Sequence, residues 1–239
     1  MKWTERYKLL ATDTDLNNTV TPSAILRYMQ DTANRQMEGH PPTYDELIGR
    51  GLSFVLSRIR LSVYSALRSH DEIVSETWVT ESRGVTFNRC YRVLRDGVIA
   101  AEAAGTWALI GIDDHRLHRV SEFDFGYEAD GELELDVPAR LRIPEGVTMT
   151  LAGERTVEYA DADVNGHMNN TRYPDLMCGW ASDMRGRRAV SMGINFVHEA
   201  PVGCALKVYR GVADETYYVR TVRDDGQVNA EAEIVFEDA

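Results

Sequence analysis

The chain carries one short block twice. Asp13-Thr14-Asp15-Leu16-Asn17-Asn18-Thr19 aligns without gaps on Asp161-Ala162-Asp163-Val164-Asn165-Gly166-His167, each position 148 residues from its counterpart. An internal repeat constrains a fold more than local propensity does, because it implies two similar units that bury their apolar faces on each other. Both copies keep the acid and the amide, but the second has His167 where the first has Thr19. If 163–167 is extended, alternate side chains point the same way, so Asp163, Asn165 and His167 share one face. The expectation is two related halves, one of which holds a polar constellation with hydrolytic potential at the mouth of a helix.

The order of patterns along the chain repeats as well. In the first half Thr21-Pro22 reads as an N-cap followed by proline at the first helical position. Ile25, Met29, Ala33 and Met37 then recur at helical spacing until Gly39 and Pro41-Pro42. Strand-like alternation follows at 59–63, 73–79, 85–94 and 98–110, with the hairpin signal Asp96-Gly97 between the last two. In the second half a short strand at 155–159 leads into the polar block. Tyr173, Met177, Trp180, Ala181 and Met184 mark one face of a strongly amphipathic helix, with Pro174 in its first turn. Strands are predicted at 190–197, 206–212, 217–222 and 228–236, and Asp225-Gly226 answers Asp96-Gly97 at a spacing of 129. The shorter spacing places an additional stretch in the first half, at 40–53. The halves are 1–111 and 154–239, joined over the surface by 112–153, rich in Asp, Glu, Gly and Pro. Each half thus reads as one long helix wrapped by an antiparallel sheet, with a short strand in front. Side by side they make an α+β pseudo-dimer, which looks like two tandem hot-dog repeats.

Composition excludes several classes. A formal net charge of −12 argues against nucleic-acid binding, which needs a basic footprint. No apolar run approaches the ~20 residues of a bilayer span, and Met1–Arg6 has no hydrophobic signal core, so a cytoplasmic protein without membrane insertion is expected. Cys90, Cys178 and Cys204 lack metal-ligand spacing and fit a reducing compartment.

The block Asp163-Val164-Asn165-Gly166-His167-Met168-Asn169-Asn170, in the second of two such halves, resembles the acyl-acyl-carrier-protein (acyl-ACP) thioesterases of plants and bacteria. The resemblance covers nearly the whole chain. It implies hydrolysis of a fatty acyl thioester to free fatty acid and carrier protein, with acylated carrier protein as partner and no cofactor or metal. It also implies a glutamate beyond the central helix. In Ile194-Asn195-Phe196-Val197-His198-Glu199-Ala200 that glutamate is Glu199, and Ala200 stands where some plant members have a cysteine. The first half has Leu67 opposite Glu199 at a spacing of 132, so it lacks the glutamate as well as the histidine.

Chemically, Glu199 could act as general base towards water or attack directly and form an anhydride. His167 and Asn165 can position the water and the carboxylate, and Asp163 can orient them. The helix start near Asn169 or Asn170 would offer unpaired N–H groups to the thioester oxygen. Bland readings compete: Asp15 and Asn17 read as helix caps, His198 could replace Glu199 as the significant neighbour, and His115 and His118 with Asp113 and Asp114 read as a solvated loop, not a metal site. Two arginine runs, 83–95 and 185–188, read as solvated surface, one of which could meet an acidic carrier protein. Alternatives are an acyl-CoA thioesterase on the same scaffold, a hydratase, or a non-catalytic acyl-binding regulatory module. The tandem arrangement already supplies the pairing that single repeats obtain by dimerising, so a homodimer is open.

Overall fold

Thr21 opens the first helix through its side chain, which accepts the Ala24 N–H at 3.2 Å, and Pro22 takes the first helical position. This helix, α1, runs Pro22–Gly39 and buries Ile25, Met29 and Ala33. The computed structural model describes residues 2–122, 125–126 and 139–239. The additional stretch at 40–53 holds a second helix, α2, Tyr44–Gly49. Thr43 and Glu46 close its first turn reciprocally, each accepting the other's backbone N–H.

The third helix, α3, is Tyr173–Ala181, nine residues against eighteen for α1. This corrects the expectation of a long, strongly amphipathic helix in each half. Tyr173, Pro174, Leu176, Met177, Cys178 and Ala181 are all buried, so α3 is sunk in the core with little polar face, and Met184 lies beyond its end. Pro174 falls in the first turn, as its missing N–H requires.

The strands of the first half are β1 (Trp3–Lys8), β2 (Leu52–Val63), β3 (Glu72–Val79), β4 (Phe87–Arg95), β5 (Val98–Gly111) and the two-residue β6 (Leu117–His118). Those of the second are β7 (Thr150–Thr156), β8 (Arg187–Phe196), β9 (Ala205–Ala213), β10 (Thr216–Arg223) and β11 (Val228–Asp238). All pairings are antiparallel, in the order β1-β3-β4-β5-β2-β8-β11-β10-β9-β7, with β6 added to β5. That order reads the same from either end. The halves meet at β2 and β8, where Ile59 faces Ile194 and Leu61 faces Met192. All four side chains are buried. Each stabilises the chain by roughly 1.5–3 kcal/mol relative to exposure.

Asp96 and Gly97 both take positive φ, 53° and 76°, the conformation that matches a two-residue hairpin to the twist of β4 and β5. Helix α1 packs on β1, β3 and β4, and α3 on β9, β10 and β11. Their starts are tied by a reciprocal pair: Ser23 N–H donates to Asp175 Oδ1 at 3.1 Å, and Asp175 N–H to Ser23 Oγ at 3.0 Å. Burial raises the Asp175 carboxyl above its ordinary range. β7 begins at Thr150, so the connector ends sooner than 153. Leu141 within it is held to β8 by both backbone bonds to the Asn195 carboxamide. The remaining part of 112–153 at 123–124 and 127–138 lies outside the described residues.

Candidate active site

The block at 163–167 is a tight turn, not an extended segment. Gly166 N–H donates to Asp163 O at 3.0 Å, Asp163 N–H donates to His167 O at 3.0 Å, and Gly166 sits at φ +78°. The Asp163 carboxylate accepts the Asn165 N–H at 2.9 Å and so closes the turn from inside. Asp163 and His167 therefore stand at the neck, and Asn165 at the exposed tip. The single face expected from alternation does not form. The dipeptide Asn165-Gly166 is the signal that marks such a turn in sequence.

Glu199 reaches the neck from the segment after β8. His167 Nδ1 lies 3.3 Å from Glu199 Oε2, with the two side chains 32% and 51% exposed, so the pair is open to a substrate. Two further residues fix the Glu199 backbone. Arg223 donates to Glu199 O at 3.0 Å. Asn229 donates to His198 O at 2.6 Å and is itself held by Thr221 Oγ1 at 2.7 Å. Nothing in the sequence marks Arg223, whereas Asn229 is a buried amide in a strand otherwise rich in alanine and aliphatics. His198 turns away, its Nδ1 2.8 Å from Val228 O, and so is not the partner of His167. Asp163 is spent on the turn, and Asn165 makes no side-chain hydrogen bond among the described residues.

The first half repeats the three bonds that close this turn and adds a fourth, Thr19 N–H to Asp15 Oδ1 at 3.1 Å. Asp15 N–H donates to Thr19 O at 2.9 Å, Asn18 N–H to Asp15 O at 3.0 Å, and Asn17 N–H to Asp15 Oδ1 at 2.9 Å. The next segments also match: Val20 N–H donates to Leu67 O, as Met168 N–H does to Ala200 O. Leu67 thus corresponds to Ala200 at a spacing of 133, and the counterpart of Glu199 is Ala66. This corrects the alignment by one residue and leaves the conclusion, no glutamate in the first half, unchanged. Arg68 stands where the second half has Pro201. Its guanidinium donates to Thr19 Oγ1 at 2.9 Å and to the carbonyls of Asn17 and Asn18 at 2.8 and 3.0 Å.

The helix start offers fewer free amides than expected. Asn169 caps a short 3-10 turn, Asn170–Arg172, accepting Thr171 N–H at 2.9 Å. Met168, Asn169 and Arg172 N–H groups are bonded to Ala200, Asp161 and Asn169 carbonyls. The Asn170 N–H occupies the first position of the turn, where a helical amide has no intrahelical partner.

A cavity of about 420 Å³ lies against the first half and the start of the connector, between α1 and the face of β4 and β5, with Met37, Tyr44, Phe54, Phe87 and Phe125 among its walls. Its size suits a ligand. None of the four site residues lines it. The link is Gln30, which lines the cavity and donates to Asn170 Oδ1 at 2.9 Å.

Most side chains of the two arginine runs are engaged, and only Arg83 and Arg185 among them are exposed. Arg92 is paired with Glu102, Arg95 with Asp71 and Arg188 with Glu237, while Arg187 stacks on Tyr217 and Phe236. Arg83 and Glu81 form an exposed pair. His118 bonds Glu122 at 2.9 Å, and Asp114 accepts the Arg116 N–H at 3.0 Å.

Two family models cover most of the chain: the acyl-ACP thioesterase N-terminal domain matches residues 1–124 and the acyl-ACP thioesterase C-terminal domain residues 147–238. The chain belongs to the acyl-ACP thioesterase family. A family relative, the chloroplastic palmitoyl-acyl carrier protein thioesterase of Gossypium hirsutum, is 21% identical over 193 residues. That alignment takes in 74% of this chain and 46% of the relative, so the chain spans about half the length of the curated relative it matches. Among solved structures, an acyl-ACP thioesterase from Bacteroides thetaiotaomicron superposes with a TM-score of 0.89 at 18% identity, covering 99% of this chain and 98% of that one. The 12:0-ACP thioesterase of Umbellularia californica gives 0.84 at 14% identity, covering 100% and 98%. At these identities the likeness is one of fold. Among the described residues no helix is long and apolar enough to cross a membrane.

Proposed function

We propose that the chain hydrolyses fatty acyl-ACP thioesters to free fatty acid and holo carrier protein. Its halves are read as tandem hot-dog repeats, the first (1–111) holding the acyl chain and the second (154–239) carrying the chemistry. The observation that carries this reading is the His167–Glu199 pair, present at one of two otherwise matching turns and open to solvent. Family membership supplies the substrate class. The three free cysteines fit a cytoplasmic setting.

With its proton on Nδ1, facing Glu199, the His167 ring presents the Nε2 lone pair outward. Glu199 then fixes the tautomer and stabilises the imidazolium that forms. Water activated at this pair attacks the thioester carbonyl, and the C–S bond breaks as the tetrahedral intermediate collapses. The proton taken from water returns to the departing thiolate, which leaves readily even without an acid. The Asn170 N–H and the free Asn165 carboxamide are donors within the same loop for the developing oxyanion. Direct attack by Glu199 would instead form an acyl anhydride, and the 3.3 Å contact favours the role of ring orienter. Asp163 serves the reaction by holding the turn.

Thiol release from acyl-ACP and acyl-CoA of several chain lengths tests the proposal. Release from acyl-ACP that is lost in a folded His167→Ala variant supports it. Release from acyl-CoA alone would move the substrate to the other carrier, and tight acyl binding without release from either would make the chain a binding module.

A further inference from the structure

Each half carries a β-bulge behind its turn, and the extra residue differs between them. Pairing shifts from Val93–Ala101 to Leu94–Ile99 in the first half and from Thr221–Ala230 to Val222–Val228 in the second. Ala100 and Asn229 are the residues passed over. Their backbones make the same bonds. Ala100 O accepts the N–H groups of Tyr64 and Ser65 at 2.8 and 3.3 Å, and Asn229 O those of Val197 and His198 at 2.8 and 3.1 Å. An arginine repeats as well: Arg95 donates to Ala66 O at 2.9 Å, as Arg223 does to Glu199 O at 3.0 Å. These bonds are scaffold, since they form with and without a glutamate at that position.

The halves part at the side chain. Asn229 Nδ2 donates to Tyr173 Oη at 2.9 Å and to His198 O at 2.6 Å, while its Oδ1 accepts from Thr221 Oγ1 at 2.7 Å. The counterparts in the first half are all apolar. Val93 opposes Ala101 as Thr221 opposes Ala230. Thr21 N–H donates to Asp13 O as Asn169 N–H does to Asp161 O, each at 2.9 Å, which puts Ile25 in the place of Tyr173. All six side chains are buried. One half therefore fills this space with Ile25, Val93 and Ala100, and the other with a closed polar network, on the same backbone. The bulge folds without the polar atoms, and apolar groups of like shape fill a buried space at no loss of stability.

What the network adds is a link. Tyr173 opens α3 directly after the turn that carries the Asn170 N–H, and His198 O belongs to the peptide unit that leads into Glu199. We infer that Asn229 is a positioning residue for the hydrolysis, its amide fixing Glu199 relative to the start of α3. The His167–Glu199 pair and the Asn170 donor then meet the same thioester. The inference rests on the thioesterase reading. Asn229 acts through the backbone before Glu199, so its loss misplaces a carboxylate without removing a reacting group. A misplacement of about 1 Å is worth about 10²-fold in rate.

Two variants separate positioning from support. Asn229→Ala strands the hydroxyls of Tyr173 and Thr221 and should lower both the melting temperature and kcat. The triple variant Tyr173→Phe, Thr221→Val, Asn229→Leu removes the network whole and should melt within a few degrees of wild type. In both, kcat for thiol release from acyl-ACP should stay about 10²-fold down, with KM within about twofold. A triple variant that recovers kcat along with its melting temperature would overturn the inference, as would a loss carried by KM alone. Should the triple variant not fold, Tyr173→Phe cuts the link at its helix end and should lower kcat about tenfold, the equivalent of one buried hydrogen bond. Wild-type kcat in it would overturn the inference. If wild type releases no thiol, the hydrolase reading fails separately, and the ring nitrogen resonances of His167 by NMR still decide the positioning. They should differ between wild type and the Asn229 variants, and coincident spectra would overturn it.

Discussion

The turns at 15–19 and 163–167 share a backbone and differ in what fills the space beside them. In the first, Arg68 bonds Thr19 and two turn carbonyls, and Asn17 anchors the loop to the other half. Its carboxamide donates to Met184 O at 2.7 Å and Arg187 O at 2.9 Å and accepts the Gly186 N–H at 2.8 Å. In the second, Pro201 replaces the arginine, His167 and Glu199 face one another half exposed, and Asn165 holds nothing. The same scaffold is thus a structural rivet in one copy and an open pair of titratable groups in the other. The lesson is that a turn closed by its own backbone bonds and one aspartate carboxylate can change its occupants without changing its shape.

The comparison can be broken at the chemistry first. His167→Ala and Glu199→Gln should each lower kcat for thiol release about 10³-fold, the range of a lost acid–base group, with circular dichroism unchanged. Stability should respond in the opposite half. Asn17→Ala removes three hydrogen bonds between the halves and should cost about 2–3 kcal/mol in denaturant unfolding. Asn165→Ala should stay within about 0.5 kcal/mol of wild type in the same assay. Arg68→Ala should cost about 1–2 kcal/mol while leaving thiol release unaltered, as the assignment of the chemistry to the second turn requires. The finest difference is in the turn backbone. Gly166→Ala, forced into positive φ, should cost about 1 kcal/mol, whereas Asn18→Gly, whose φ is already 53°, should be neutral or slightly stabilising.

Much of this was legible before any coordinates. The 148-residue spacing carries the repeat and the loss of histidine from one copy, and Thr21-Pro22 marks the start of α1. The conformation of the block was not, because alternation at 163, 165 and 167 satisfies an extended reading equally well; only Asn165-Gly166 argues for the turn. The one-residue slip between Leu67 and Ala66 has a similar source. Spacing across loops of unequal length fixes register only when a backbone bond such as Val20 N–H to Leu67 O is in hand. Helix α3 was overestimated since Met184 continues the apolar period past the point where the backbone leaves the helix. Arg68, Arg223 and Asn229 act through backbone carbonyls, which leave no trace in a side-chain pattern. The cavity depends on how α1 stands off the sheet, a property of packing and not of any segment.

The central claim is that hydrolysis belongs to one turn and not to its twin. Thiol release from acyl-ACP by Thr19→Ala and His167→Ala, side by side and both shown to be folded, tests it most directly. The account expects Thr19→Ala to turn over like wild type and His167→Ala to fall about 10³-fold. Comparable rates for the two variants, whether both retained or both lost, would contradict it.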